Sequence, residues 1–149
     1  MKSPKPSIVS ETSASPTNTY AKVALFLFVV FLVWTITIAN NGSGSTYFSF
    51  LKYIPGGDKT GHFVLMGSFC FLANCAIGKK VFNLFFAEIL KGTLIVFLIV
   101  LFEECSQYFI KSRTFDLQDL GADILGIIVF DLLYRTLCYK KIIHNEITK

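Results

Sequence analysis

Charge is what this sequence has least of. Charged side chains make up 16% of its 149 residues, against roughly 25% in soluble domains. Hydrophobic residues account for 53%, and the mean hydropathy is +0.58. A soluble fold this short cannot hide so much apolar surface, so lipid is the expected solvent. Signature motifs are missing too. The four cysteines form no CxxC pair, which favours packing in apolar segments over disulfide or metal roles. The chain has no internal repeat, P-loop, GxSxG, HExxH or dinucleotide fingerprint, so none of those chemistries is supported. Nothing here marks the chain as an enzyme or excludes it from being one.

What is present is a set of four apolar runs, Ala21 to Ala39, Phe63 to Ile77, Gly92 to Phe109 and Ile124 to Leu137. A span needs ~20 residues to cross ~30 Å of hydrocarbon. The second and fourth runs reach that length when extended back toward Asp58 and Asp116. The expected fold is therefore all-α, a polytopic membrane bundle of about four transmembrane helices. Two spans with two interfacial helices is the alternative, disfavoured because neither short run carries a polar stripe. Residues 1–19, rich in Ser, Thr and Pro, read as a disordered tail. Residues 20–139 read as the membrane domain and 140–149 as a basic cytoplasmic tail. The run Ala21 to Ala39 exceeds the ~7–15 residues of a signal h-region, so an uncleaved first span is expected.

Orientation follows from the cations. Four spans put Lys2, Lys5, Lys22, Lys79, Lys80, Lys91, Arg135, Lys140, Lys141 and Lys149 on one side, leaving Lys52, Lys59, Lys111 and Arg113 on the other. Lys and Arg accumulate in short cytoplasmic loops, so both termini should face inward. The net charge of +4 is then an insertion signal and gives no reason to expect nucleic-acid binding. Asp58, Glu103, Glu104, Asp116, Asp119 and Asp123 gather at the outer face.

At that face the second span begins, the third ends and the fourth begins. Asp58 and His62 stand four apart, on one face of a helix. Asp58 after Pro55-Gly56-Gly57 also fits a helix N-cap. His62 sits in the first turns, where the helix dipole disfavours imidazolium, so it suits a general base, a metal ligand or a structural histidine. Glu103 and Glu104 each pair with Gln107 in spacing. They lie ~9 Å below the end of their run, near a helix C-terminus that disfavours anions. Depth and dipole both oppose ionisation, so the pair needs a shared proton, Arg113, Lys59 or a bound cation. Arg113 suits a carboxylate or a phosphate equally. Asp116, Asp119 and Asp123 share one helix face. Asp116 fits an N-cap and Asp119 a first turn, whereas Asp123 opens an apolar run and has no such explanation. Gly126 should let another backbone approach closely. Asp131 and Arg135 form an i, i+4 pair near the inner surface, read as structural.

The six acids exceed Lys59, Lys111 and Arg113 by three charges, with His62 neutral. Shared protons, a divalent ion or a cationic ligand must relieve that excess. Hard oxygens plus one imidazole suit Mg, Ca, Mn or Zn, but the spacing matches no specific metal motif, and no cofactor is assigned.

Asp58-Lys59-x-x-His62-Phe63, Glu104-x-x-Gln107, Arg113-x-x-Asp116-x-x-Asp119 and Asp123-x-x-Gly126 together resemble the VanZ-like membrane proteins, over roughly Tyr53 to Tyr134. That family commonly has Asn where this chain has Asp123, which here adds one potential negative charge. The resemblance implies a bacterial multi-pass protein of the inner membrane, and it singles out Glu104 over Glu103. It also implies kinship with a member associated with reduced susceptibility to glycopeptide antibiotics of the teicoplanin type. It supplies no reaction.

Three functions compete. The first is a cell-envelope protein whose outward polar pocket binds a lipid-linked or lipid-like ligand. Lys59 and Arg113 would meet its anionic groups, while His62, Glu104, Gln107, Asp58, Asp116, Asp119 and Asp123 would shape the pocket. Membrane lipids and a lipid-linked envelope precursor are the expected partners, and an oligomer is compatible with the Phe-rich faces. The second is a metal-assisted intramembrane hydrolase or transferase, with His62, Glu104 and Asp119 as catalytic candidates. The third is a proton- or cation-handling carrier or assembly subunit, less attractive without an inverted repeat.

Overall fold

The computed structural model describes residues 16–41, 49, 53–54, 56–84, 87–107 and 116–147. Among these lie helix α1 (Pro16–Asn40), helix α2 (Gly57–Ile77), strands β1 (Val81–Leu84) and β2 (Ala87–Leu90), helix α3 (Lys91–Gln107) and helix α4 (Leu117–Ile147). Each apolar run is helical over its described residues, and α2 and α4 do begin upstream of theirs, near Asp58 and Asp116. The expected N-terminal tail lies outside the described residues as far as Ser15. At the other end α4 continues through most of the segment expected as a basic tail.

Two local expectations need correction. Asp58 does not cap α2. Gly56 occupies the N-cap at φ 73°, a left-handed conformation that glycine adopts without strain, and no side chain bonds the free amides there. Asp58 instead sits exposed in the first turn, where the helix dipole favours an anion. The segment between Gly78 and Lys91, expected as a loop, forms an antiparallel hairpin with Val81 opposite Leu90 and Leu84 opposite Ala87. Its β-branched and aromatic residues suit strands, and the ladder satisfies backbone groups that a loop would leave to water. The Lys91 amide donates to the Lys80 carbonyl at 2.8 Å, so the ladder runs directly into α3.

Helix α2 is the hub, packing against α1, α3 and most extensively α4. Leu32 of α1, Phe69, Cys70 and Ala73 of α2, Val96 and Val100 of α3, and Ile127 of α4 form one buried cluster. Phe63 meets Phe130 and Phe71 meets Tyr134, each pair with ring centroids 6.1 Å apart, so α2 and α4 run parallel. No disulfide joins the four cysteines; Cys70 is buried in this cluster, Cys75 and Cys138 are half-buried and Cys105 is exposed.

Glycines set the helix separations. A Cβ on Gly126 would strike the Phe63 carbonyl oxygen and sit 3.1 Å from the Phe63 Cα, the close approach expected at this position. A Cβ on Gly92 would lie 2.9 Å from the Asn74 amide nitrogen, locking α3 against α2 in the same way.

Two segments, Thr19–Asn40 and Gly57–Ile77, are long and apolar enough to cross a membrane. Little of α1 is covered: Val23, Phe26, Leu27, Val30, Val33 and Trp34 are all exposed.

Gly126→Val should destabilise the fold by about 1–3 kcal/mol, because the α2 backbone cannot retreat. Gly121 has nothing within 4 Å of its Cβ position. Gly121→Ala should therefore be neutral or stabilise by about 0.5–1 kcal/mol. Thermal unfolding of the two variants in detergent checks the pair; equal effects would contradict this packing.

Candidate functional site

Three helix ends converge. The start of α2 supplies Asp58, Lys59 and His62, the end of α3 supplies Glu103, Glu104 and Gln107, and the start of α4 supplies Asp119 and Asp123, with Asp116 just before it. Helical spacing selects which of them turn inward. His62 lies one turn beyond Asp58, and Asp123 one turn beyond Asp119, so the deeper member of each pair faces the helix junction.

The interior of the cluster is lined by carboxyl groups. Glu104 is 0% exposed and Asp123 is 1% exposed. His62 Nδ1 lies 3.1 Å from Asp123 Oδ1 and 3.9 Å from Glu104 Oε1. Gln107 Nε2 donates to Glu103 Oε2 at 2.9 Å and to Glu104 Oε1 at 3.2 Å. The second Glu104 oxygen, Oε2, is buried and has no hydrogen-bond partner among the described residues. An unpartnered carboxylate oxygen away from water is costly, and native structures seldom keep one without a use. Of the two adjacent acids, Glu104 is thus the enclosed one.

The rim is a closed ion-pair network. Lys59 Nζ donates to Asp119 Oδ1 at 3.0 Å and to Asp116 Oδ2 at 3.2 Å. Asp116 fulfils its expected capping role: its Oδ1 accepts the Gln118 amide at 2.8 Å. That amide, and then the Lys59 ammonium, hold the Asp116 carboxyl below its ordinary 3.8. Asp58 stands further out, within ligand distance of His62 and Asp119.

Eight of the residues singled out from the sequence, counting Asp58 at the rim, therefore meet around His62. Arg113, expected beside them, lies outside the described residues.

A second polar layer escaped the sequence reading. Asn74 Nδ2 donates to Thr93 Oγ1 at 2.9 Å and to Asp131 Oδ1 at 3.3 Å. Thr93 Oγ1 also donates to Asp131. Arg135 Nε donates to Asp131 Oδ2 at 2.6 Å, and its Nη2 reaches the Glu88 carbonyl at 3.0 Å. The Asp131–Arg135 pair was legible from spacing, and its structural reading fits this lock between α2, α3, α4 and the hairpin. Asn74, the only amide in the run Phe63 to Ile77, was the overlooked signal. It lies ~18 Å along α2 from His62, so the two layers are separate.

Compared with known families, the sequence matches VanZ/LLP1 over residues 3–139. This chain belongs to the VanZ/LLP1 family. No curated protein and no solved structure matches it. The VanZ/LLP1 match takes in α1 as well as the three helices that build the polar cluster.

His62→Ala should strand two buried carboxylates without their imidazole, destabilising chelator-treated protein by about 3–5 kcal/mol. Glu104→Gln should be neutral or stabilising in the same unfolding assay, because it removes charge and retains shape. The reverse order would overturn this electrostatic reading. At the rim the sign with pH is fixed by the depressed carboxyl of Asp116. Its contribution is present above the ordinary carboxylate value and disappears as pH falls through its lower folded value. Asp116→Asn keeps the cap but should flatten that acid dependence in a stability–pH profile.

Proposed function

We propose that this chain is a multi-pass protein of the bacterial inner membrane, with both termini cytoplasmic and four membrane-spanning helices. Its outward-facing polar cluster binds a lipid-linked or lipid-like ligand of the cell envelope. Family membership supports a VanZ-like envelope protein. The exposed apolar side chains support the lipid setting. Alongside α1, residues such as Ile95, Leu98, Phe102, Leu125, Ile128 and Leu132 remain uncovered on α3 and α4. Left in water, such a surface would drive aggregation; in acyl chains it is at equilibrium.

The observation that carries the ligand reading is the depth gradient at the three helix ends. Lys59 and Asp116 are 38% and 41% exposed, while Glu104 behind them is fully enclosed. Polar groups graded from a wet rim to a dry floor suit a ligand with an ionic head and an apolar body. Its body would lie along the uncovered helix faces, and its head would displace Lys59 from the aspartates. Arg113, on the short connection to α4, supplies a second cation for that head.

The constellation of His62, Glu104 and Asp123 favours a second reading, a metal-assisted hydrolase or transferase on an envelope lipid. In it His62 or Asp119 would move a proton and Glu104 would act as acid or ligand.

Two measurements test the proposal. Single cysteines replacing Asp58 and Lys79 should be labelled by an impermeant reagent from outside and inside respectively; labelling of both from one side would refute the topology. His62→Ala, Glu104→Gln and Arg113→Ala, at wild-type membrane abundance, should each weaken the envelope phenotype. Susceptibility to glycopeptides of the teicoplanin type is the phenotype to read. Full retention by all three would rule out the pocket.

A further inference from the structure

We propose that His62, Glu104 and Asp123 form a binding site for one divalent cation, enclosed where α2, α3 and α4 meet. One ligand atom from each residue lies within 4.8 Å of the other two. Ligands ~2.1 Å from a metal stand about 3.0 Å apart at a right angle and about 3.4 Å apart at a tetrahedral one. The His62 Nδ1–Asp123 Oδ1 separation of 3.1 Å falls in that range, and the 3.9 Å from His62 Nδ1 to Glu104 Oε1 exceeds it, so the Glu104 carboxylate must move inward to ligate.

The second observation is the orphaned oxygen. Among the described residues Glu104 Oε2 has no hydrogen-bond partner, although its side chain is fully enclosed at the helix junction. Charge leads to the same place. Among the described residues two buried carboxyls face a single imidazole; with both ionised, even a protonated imidazole leaves one negative charge to be met by a proton or a cation. Among the described residues Lys59 does not close the gap, because its ammonium is already shared by Asp116 and Asp119. A divalent ion balances both carboxylates and leaves the imidazole neutral, the form that ligates metal. Gln107 fixes the other Glu104 oxygen, and such outer contacts orient ligands toward a metal.

The donor set identifies the ion class. One imidazole with two carboxylates suits Zn²⁺ or Mn²⁺ better than Mg²⁺, which prefers oxygen and water alone. The alternative trio of Asp58, His62 and Asp119 uses the same imidazole. It is weaker, because Asp119 is engaged by Lys59 and Asp58 is exposed. Under the ligand reading above, on whose cluster this inference rests, the ion would give an anionic head a contact in a pocket that is otherwise acidic.

The test uses full-length protein in detergent, stripped with chelator and re-equilibrated separately with Zn²⁺, Mn²⁺ and Mg²⁺. Bound metal is read by elemental mass spectrometry after desalting, and stability by thermal unfolding. About one ion per chain is expected for Zn²⁺ or Mn²⁺, with a raised melting temperature. Glu104→Gln and Asp123→Asn should each lower the affinity at least tenfold, and Glu88→Gln on the hairpin should not change it. Monodisperse wild-type protein that holds no stoichiometric ion and shows no thermal shift with any of the three would overturn the site. So would equal occupancy in a Glu104→Gln/Asp123→Asn double variant, which reads out without requiring either single variant to be stable. Neither result depends on the envelope phenotype. Loss of metal with the phenotype intact would reject the ion and spare the pocket.

Discussion

Two carboxylates enclosed against one imidazole set the terms for everything around them. Taking a carboxylate out of water costs several kcal/mol unless a partner or ion compensates. The compensation here depends on helix separation, because His62, Asp123 and Glu104 come from three different helices. Their distances are fixed by backbone contacts that only glycine permits. Gly126 brings α4 onto the Phe63 carbonyl, one residue beyond His62, and Gly92 brings α3 onto Asn74. Core packing and site electrostatics are thus one problem: a methyl group at Gly126 would push Asp123 away from its imidazole.

The bundle carries two polar layers with different character. In the inner layer Asp131 has a cation on one oxygen and two donors on the other, and Arg135 extends the network to the hairpin. Its charge is matched, which is the condition of a structural lock. The outer layer is matched only at its rim, where Lys59 spans Asp116 and Asp119. Behind the rim, among the described residues, two enclosed carboxyls share one imidazole; Glu104 Oε2 lacks a hydrogen-bond partner, as does Asn74 Oδ1 in the layer around Asp131. The difference lies in charge: Asp131 has its Arg135, whereas Glu104 and Asp123 share one imidazole, and buried charge without its own partner marks a place where something binds or reacts. That contrast directs the functional argument to His62 and leaves Asp131 with a structural role.

Much of this was legible in the sequence because acids in apolar runs are so costly. Glu104 and Asp123 stood out for that reason, and helical spacing placed Asp58 with His62 and Asp116 with Asp119 and Asp123. Gly126 was legible as a close approach. Four features were not. The Asp58 cap failed because Gly56, already in a left-handed turn, ended the upstream segment without needing a side chain. The hairpin was hidden because its strands are only four residues each, too short to show alternation. Asn74 and Thr93 are uncharged, so they raised no electrostatic alarm, and their partner Asp131 already had Arg135 one turn away. The choice of partner for Lys59, aspartates rather than glutamates, depended on which faces of α2 and α4 meet, and spacing within a single helix does not encode that.

The central claim is that His62 and Asp123 interact directly across the α2–α4 junction. A double-mutant cycle measures this most directly, with His62→Gln, Asp123→Asn and the combined variant compared by reversible unfolding of the metal-free protein in detergent. The account predicts a coupling energy of about 1–3 kcal/mol between the two positions. Additive effects, with coupling indistinguishable from zero, would contradict it.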